Sequence, residues 1–245
     1  MAATEMYDIN DDDLEIRDEE LKPKTEKDYK CAPSKKFDNW SCIPLESLVH
    51  MAKAFNEENP ESGIKTNDKY ITTKPDKYKR YLLKQFKQKL KKCNDQICWT
   101  KESFMDKLND QIKQDLQNNT FRPEGPNKGN KWLNTLDIIN ACQQYESIYP
   151  DFKFLGALPS DFDSLMKRTS NKKLGLPYME NGSRIDNLQF NEVYPQKTKV
   201  GIVFNLDSSD QPGSHWVAMY ADFNKGQCYF FDSYGEEPFE EAKVL

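Results

Sequence analysis

An α+β fold, with a small, mainly antiparallel sheet against helices and a helical N-terminal accessory region, is predicted by two patterns. Between residues 44 and 149 apolar side chains recur at helical spacing. From residue 199 onward, KVGIVFNLD, HWVAMYAD and QCYFFDS are short runs rich in β-branched and aromatic residues, separated by turn residues. A chain of 245 residues is long enough to bury a full-sized core. Its composition, 31% charged and 37% hydrophobic, predicts a polar, soluble protein, and the net charge of −5 argues against general nucleic-acid binding. No apolar run approaches the roughly 20 residues of a membrane span, so no membrane partner is expected. The N-terminus carries acids where a secretory signal needs a basic and then an apolar region. These features predict an intracellular protein whose six cysteines are reduced.

In chain order, the acid-rich stretch over residues 1–28 shows no sustained periodicity and predicts a disordered arm. Residues 29–119 follow as a helical accessory region. Leu45, Leu48, Val49 and Ala52 form one stripe of a helix expected over Pro44–Asn56, with proline in its first turn. Residues 75–118 predict two helices joined by CNDQIC. Tyr78, Leu82, Phe86 and Leu90 lie near one face of the first, opposite a lysine-rich face expected to be solvated. TFRPEGPNKGN predicts a loop, and Leu136, Ile138, Ile139 and Cys142 support a helix over Thr135–Tyr149 that ends before Pro150. DFKFLGALPSDF predicts a short strand entering a turn, and NKKLGLPYMENGSRIDN a long loop.

The last two strands carry the chemistry. If HWVAMYA and GQCYFFD pair antiparallel across a four-residue loop, DFNK, then His215 lies opposite Asp232, Val217 opposite Phe230 and Met219 opposite Cys228. Directly opposed α-carbons are about 4.5–5.5 Å apart, close enough for the carboxylate to accept from the imidazole. Such an acid fixes the tautomer and orientation of the ring and leaves its other nitrogen free to activate a thiol or hydroxyl.

The run GSHWVAMYAD…YFFDSYG resembles the His-Trp and Asp-Ser elements of the adenovirus-protease and SUMO-protease class of cysteine proteases. Within that class the sequence is most similar to the thiol proteases of large DNA viruses. The blocks CAPSKKFDNWSCIPLESL, CNDQICW, TFRPEGP, KWLNTLDI, FKFLGALPSDF and VGIVFNLD extend the likeness over residues 30–240. The resemblance implies a papain-like fold, with a protease-like domain over 120–245. It implies that His215 is the general base, Asp232 the acid that orients it, and Trp216 a substrate-binding residue covering a tunnel for a glycine-glycine terminus. WLNT at 132–135 is similar to a Trp-Leu-Asn-Asp element, with Thr135 where an aspartate is usual. The class also uses an oxyanion-hole glutamine and a nucleophilic cysteine some tens of residues after the aspartate. The ten residues after Gly235 contain neither, which predicts that the chain is a fragment with its nucleophile beyond Leu245.

Cys42 is the internal rival. It precedes a predicted helix, whose N-terminal dipole would favour a thiolate, and the order Cys42, His215, Asp232 is papain-like. Cys93 and Cys98, with Cys31 and Cys42, come near zinc spacing but lack a histidine cluster, so they are read as core or connector cysteines. No metal or cofactor is expected. Cys142 and Cys228 read as packing residues and His50 as a surface histidine. The expected function is peptide or isopeptide hydrolysis after a glycine-like residue. The expected partner is a viral polyprotein or capsid precursor, or a ubiquitin-like conjugate, met in the host cytoplasm or the virion. The rival from another class is a non-catalytic protease-fold binding module.

Overall fold

The computed structural model describes residues 9–126, 131–162 and 194–243. The loop NKKLGLPYMENGSRIDN, expected from the sequence, lies outside them. The chain divides into two units, Met1–Pro123 and Glu124–Leu245.

In the first unit, helix α1 (Leu45–Glu58) begins at Pro44, the N-cap residue, whose carbonyl accepts from Leu48 N–H at 3.0 Å. It buries Leu45, Leu48, Val49, Met51, Ala52, Ala54 and Phe55, a wider face than the expected stripe. Helix α2 (Pro75–Lys89) places proline at its first position, where no intrahelical donor is lost, and buries Tyr78, Tyr81, Leu82, Leu83 and Phe86. The second helix expected here is broken. A helical turn at Gln96–Trp99 and a 3-10 turn at Ser103–Lys107 precede α3 (Asp110–Asn118), whose N-cap Asn109 accepts from Ile112 N–H at 2.9 Å. Packing favours the break, because it brings Trp99 and Phe104 against Phe86 with ring centroids 5.7 and 6.1 Å away.

The expected disordered arm is corrected by the structure. From Ile9 onward the acidic stretch is ordered, with Ile9, Leu14, Ile16 and Leu21 buried in the helical core. Its acids meet the lysine face of α2 and the residue before it, pairing Asp11 with Lys74, Glu15 with Lys77, Asp18 with Arg80 and Glu20 with Lys84. That face is therefore paired with the arm while staying partly solvated, the Lys77 and Glu15 side chains being 54% and 68% exposed. Exposed ion pairs add little individually, whereas each buried aliphatic side chain contributes about 1.5–3 kcal/mol, so the apolar contacts hold the segment. Leu14→Ala is accordingly expected to destabilise the helical unit by about 2–5 kcal/mol, read as a lower urea midpoint.

The expectation of six reduced cysteines is also corrected. Cys31 is bonded to Cys42 and Cys93 to Cys98, while Cys142 and Cys228 are free. A reversal at Asp38–Ser41, with Asn39 and Trp40 at positive φ, folds the chain back so that the α-carbons of Cys31 and Cys42 lie 5.2 Å apart. Composition carries no record of such proximity.

The second unit is built on a sheet in the order β1 (Phe152–Pro159), β2 (Lys199–Asn205), β3 (Trp216–Asp222), β4 (Gln227–Phe231). The β1–β2 pair is parallel and the other two are antiparallel, so the mixed helical and mainly antiparallel architecture is the α+β class expected. Helix α4 (Thr135–Gln143) starts with a reciprocal cap, in which Asn134 accepts from Asp137 N–H at 3.0 Å and Asp137 accepts from Asn134 N–H at 2.9 Å. It is shorter than expected, passing into a 3-10 turn at Gln144–Ser147. Strand alternation divides the sheet's side chains. Val200, Ile202, Phe204 and Val217 pack with Leu155, Leu158 and Phe162 on one face. Val203 and Trp216 pack with Phe154, Ala157 and Ile138 of α4 on the other. Among the described residues no helix is long and apolar enough to cross a membrane.

Candidate active site

The β3–β4 register differs from the one expected, yet the chemistry it was expected to produce is present. Asp222 pairs with Gln227, Met219 with Phe230 and Ala221 with Cys228, so the connection is Phe223–Gly226 rather than DFNK. Gly226, at φ 61°, supplies the left-handed position that ends this turn. Sliding a four-residue loop by one position moves every cross-strand partner by two, and because side chains alternate with period two, each stays on its face. His215 and Asp232 are therefore diagonal neighbours just beyond the paired residues.

His215 Nε2 and Asp232 Oδ1 are 2.6 Å apart, with only 14% and 2% of the two side chains exposed. The same Oδ1 accepts from Tyr234 N–H at 2.9 Å, closing a side-chain turn within DSYG. The Tyr234 ring stacks on the imidazole at 4.4 Å between centroids. The Tyr234 N–H first, and the His215 contact second, hold the Asp232 carboxyl below the usual carboxylate range. A charged carboxylate can only accept, so Nε2 is the donor in this contact, and in the neutral ring Nδ1 carries the lone pair. Tyr234 was missed from the sequence. The signal available was the Asp-Ser-Tyr-Gly turn immediately after the strand.

The β2–β3 loop holds the histidine in place. Leu206 N–H donates to His215 O at 2.9 Å, and Asn205 Oδ1 accepts from the N–H groups of Asp207 and Ser214 at 3.0 and 3.2 Å. Asp207 in turn accepts from Ser214 Oγ at 2.5 Å and Gly213 N–H at 3.1 Å. Gly213 sits at φ 95°, and a Cβ there would come within 2.7 Å of Asn205 Nδ2. Gly213→Ala is thus expected to cost about 1–3 kcal/mol and to disturb the loop that positions His215, checked by a lower thermal midpoint.

Trp216 points to the opposite face from its neighbour His215. Its Nε1–H donates to Leu133 O at 3.0 Å, and its ring walls a cleft of about 440 Å³ shared with Trp132, Asn134, Pro159, Gln211 and Gly213. Trp132 and Leu133 are 64% and 49% exposed at this cleft, so apolar surface is available to a ligand. His215 is not among the lining residues. Thr135, which stands where the resemblance leads one to expect an acid, is the first residue of α4, and the capping acid is Asp137.

The papain-order alternative is corrected: Cys42 is 1% exposed and bonded to Cys31, so its sulphur carries no thiolate. Cys228 lies four strand positions from Asp232, about 13 Å along extended chain. Cys142 packs on the face that carries Trp216, and burial pushes its thiol pKa up. Among the described residues no thiol joins the pair. His50 is exposed, as expected.

No family model matches the sequence. Two curated proteins are similar to it. A protein of Acanthamoeba polyphaga mimivirus that bears the provisional name of a thiol protease is 36% identical over 219 residues, covering 85% of this chain and 67% of its own length. A cysteine protease of African swine fever virus is 26% identical over 121 residues, covering 48% of this chain and 43% of its own. Among solved structures, the crystal structure of an ASFV protease aligns with a TM-score of 0.46 at 16% identity, over 89% of this chain and 70% of that one.

Proposed function

Since the chain belongs to the family of large-DNA-virus thiol proteases that the mimivirus protein represents, we propose that it is a cysteine-type peptidase in which His215 is the general base and Asp232 the acid that orients it. The observation that carries this reading is the 2.6 Å contact between Nε2 and Oδ1, which leaves Nδ1 as the free nitrogen. The nucleophile is a cysteine thiol that none of the described residues supplies. Nδ1 takes its proton, and the thiolate attacks the scissile carbonyl. The imidazolium, held beside the Asp232 charge, returns the proton to the leaving amine, and water then releases the acyl-enzyme.

The cleft beside Trp216 receives the peptide. Its indole is fixed by the Leu133 carbonyl, which suits a tryptophan that covers a narrow channel and favours a glycine-like residue before the cleaved bond. The substrate class is a viral polyprotein or capsid precursor, or a ubiquitin-like conjugate, cleaved in the host cytoplasm or the virion. The absence of a thiol beside His215 among the described residues is the one observation that favours a peptide-binding module without turnover.

The two readings separate with a glycine-glycine vinyl-sulfone probe applied to the protein. The protease reading expects covalent labelling of a cysteine that disappears in His215→Ala. Saturable binding of a glycine-glycine peptide without labelling would leave the binding module.

A further inference from the structure

The helical unit holds a second group of reactive side chains that takes no part in the proposed hydrolysis. Cys93, Cys98 and Glu102 are half-buried after α2, and one ligand atom from each lies within 4.8 Å of the other two. The backbone around them is fixed independently of the sulphurs. Cys93 N–H donates to Leu90 O at 3.0 Å, Asp95 accepts from Cys98 N–H at 2.8 Å, and Glu102 N–H donates to Trp99 O at 3.4 Å. Cys31 and Cys42, which the sequence could have added to a metal site, are bonded to each other instead.

Glu102 Oε1 stands 3.3 Å from Cys93 Sγ and 3.8 Å from Cys98 Sγ. With the cysteines joined, neither sulphur carries a proton, so the carboxylate faces two atoms that cannot donate to it. A cation among the three atoms removes that mismatch. Tetrahedral zinc, with Zn–S about 2.3 Å and Zn–O about 2.0–2.2 Å, sets neighbouring sulphur and oxygen ligands roughly 3.5 Å apart, a value the two observed separations bracket, while the two sulphurs, bonded to each other here, have to separate on reduction to the roughly 3.8 Å that two such Zn–S bonds set.

We propose that Cys93 and Cys98, once reduced, bind a thiophilic divalent cation of the zinc type together with Glu102, the fourth position being left to water. A dithiol reductant gives the disulfide two electrons and two protons, becoming a disulfide itself and leaving two thiols. The cation then displaces both thiol protons to solvent and binds two thiolates and the carboxylate. The loop is thereby cross-linked in either state, by a sulphur–sulphur bond when oxidised and by a metal when reduced. This inference is independent of the proposed hydrolysis.

The test uses the whole chain, reduced with a dithiol, freed of reductant without oxygen and titrated with Co²⁺ and then Zn²⁺. Oxidised protein, Cys93→Ser and Glu102→Gln are carried in parallel. The expected result is one equivalent of Co²⁺ with thiolate-to-cobalt charge-transfer absorption and tetrahedral ligand-field bands, lost on adding Zn²⁺ and absent from the oxidised chain. Cys93→Ser should lose that absorption. Glu102→Gln, with helix content unchanged by circular dichroism, should bind at least about tenfold more weakly. A reduced chain without thiolate–cobalt absorption would overturn the proposal. So would a spectrum that Cys93→Ser leaves unchanged, because the metal would then belong to other cysteines.

Discussion

His215→Ala is expected to lower peptide hydrolysis by about a hundredfold to ten-thousandfold, because no other base among the described residues stands at Asp232. Asp232→Asn tests a different property. A single oxygen, Oδ1, accepts from both His215 Nε2 and Tyr234 N–H, and an asparagine carbonyl can occupy the same place. That variant therefore keeps the geometry and removes the charge that steadies the imidazolium. Its kcat should fall by at least about tenfold with KM little changed, the signature of an interaction needed only in the transition state. Wild-type rates in His215→Ala would remove the histidine from the mechanism. A loss in Asp232→Asn confined to KM would make the aspartate a substrate-positioning residue.

The stability of the helical unit is expected to fall as pH rises from about 4 to about 6, by an amount on the order of 3 kcal/mol. The cause is Asp28, 2% exposed, whose carboxyl is pushed up to about 6 mainly by burial. The Gln96 N–H, donating at 2.7 Å, and Lys87 oppose that rise, while Asp95 adds to it. The folded pKa lies above the unfolded one, so the folded state binds the proton more tightly. The resulting stability is complete below the unfolded pKa and lost as pH passes the folded one. Asp11, Glu20 and Asp106, lowered first by Lys74, Lys84 and Lys113, and Asp18, lowered first by the Trp40 indole N–H and then by Arg80, act in the opposite direction. Their contributions are lost only as pH falls below the ordinary carboxylate range, so the two windows do not coincide. Asp28→Asn should flatten the dependence between pH 4 and 6, followed by denaturant unfolding at closely spaced pH values. An unchanged slope would remove Asp28 as its source.

The parts of this protein visible in the sequence are those where one periodic signal decides the outcome. Helices α1 and α2 follow from apolar spacing and prolines at their starts, and three of the four strands from dense β-branched and aromatic runs. The His215–Asp232 contact was legible although its register was not, because an error of one loop position preserves parity. The N-terminal segment was missed because Ile9, Leu14, Ile16 and Leu21 are spaced too irregularly to form a stripe, although each finds the core. The disulfides were missed because the reversal at Asp38–Ser41 is a tertiary event, with Trp40 held at positive φ by bonds to Asp18 and Gln96. The pairing of β1 beside β2 likewise depends on a crossover that no local pattern announces.

The placement of the tryptophans gives the cleft an optical handle. Trp99 is buried in the helical unit with its ring stacked on Phe86, whereas Trp132 stands in water at the lip of the cleft. An apolar peptide settling beside Trp132 would dehydrate that indole and shift its emission to shorter wavelength, while Trp99 stays dark to the event. Occupancy could thus be followed by fluorescence in a variant whose chemistry has been silenced.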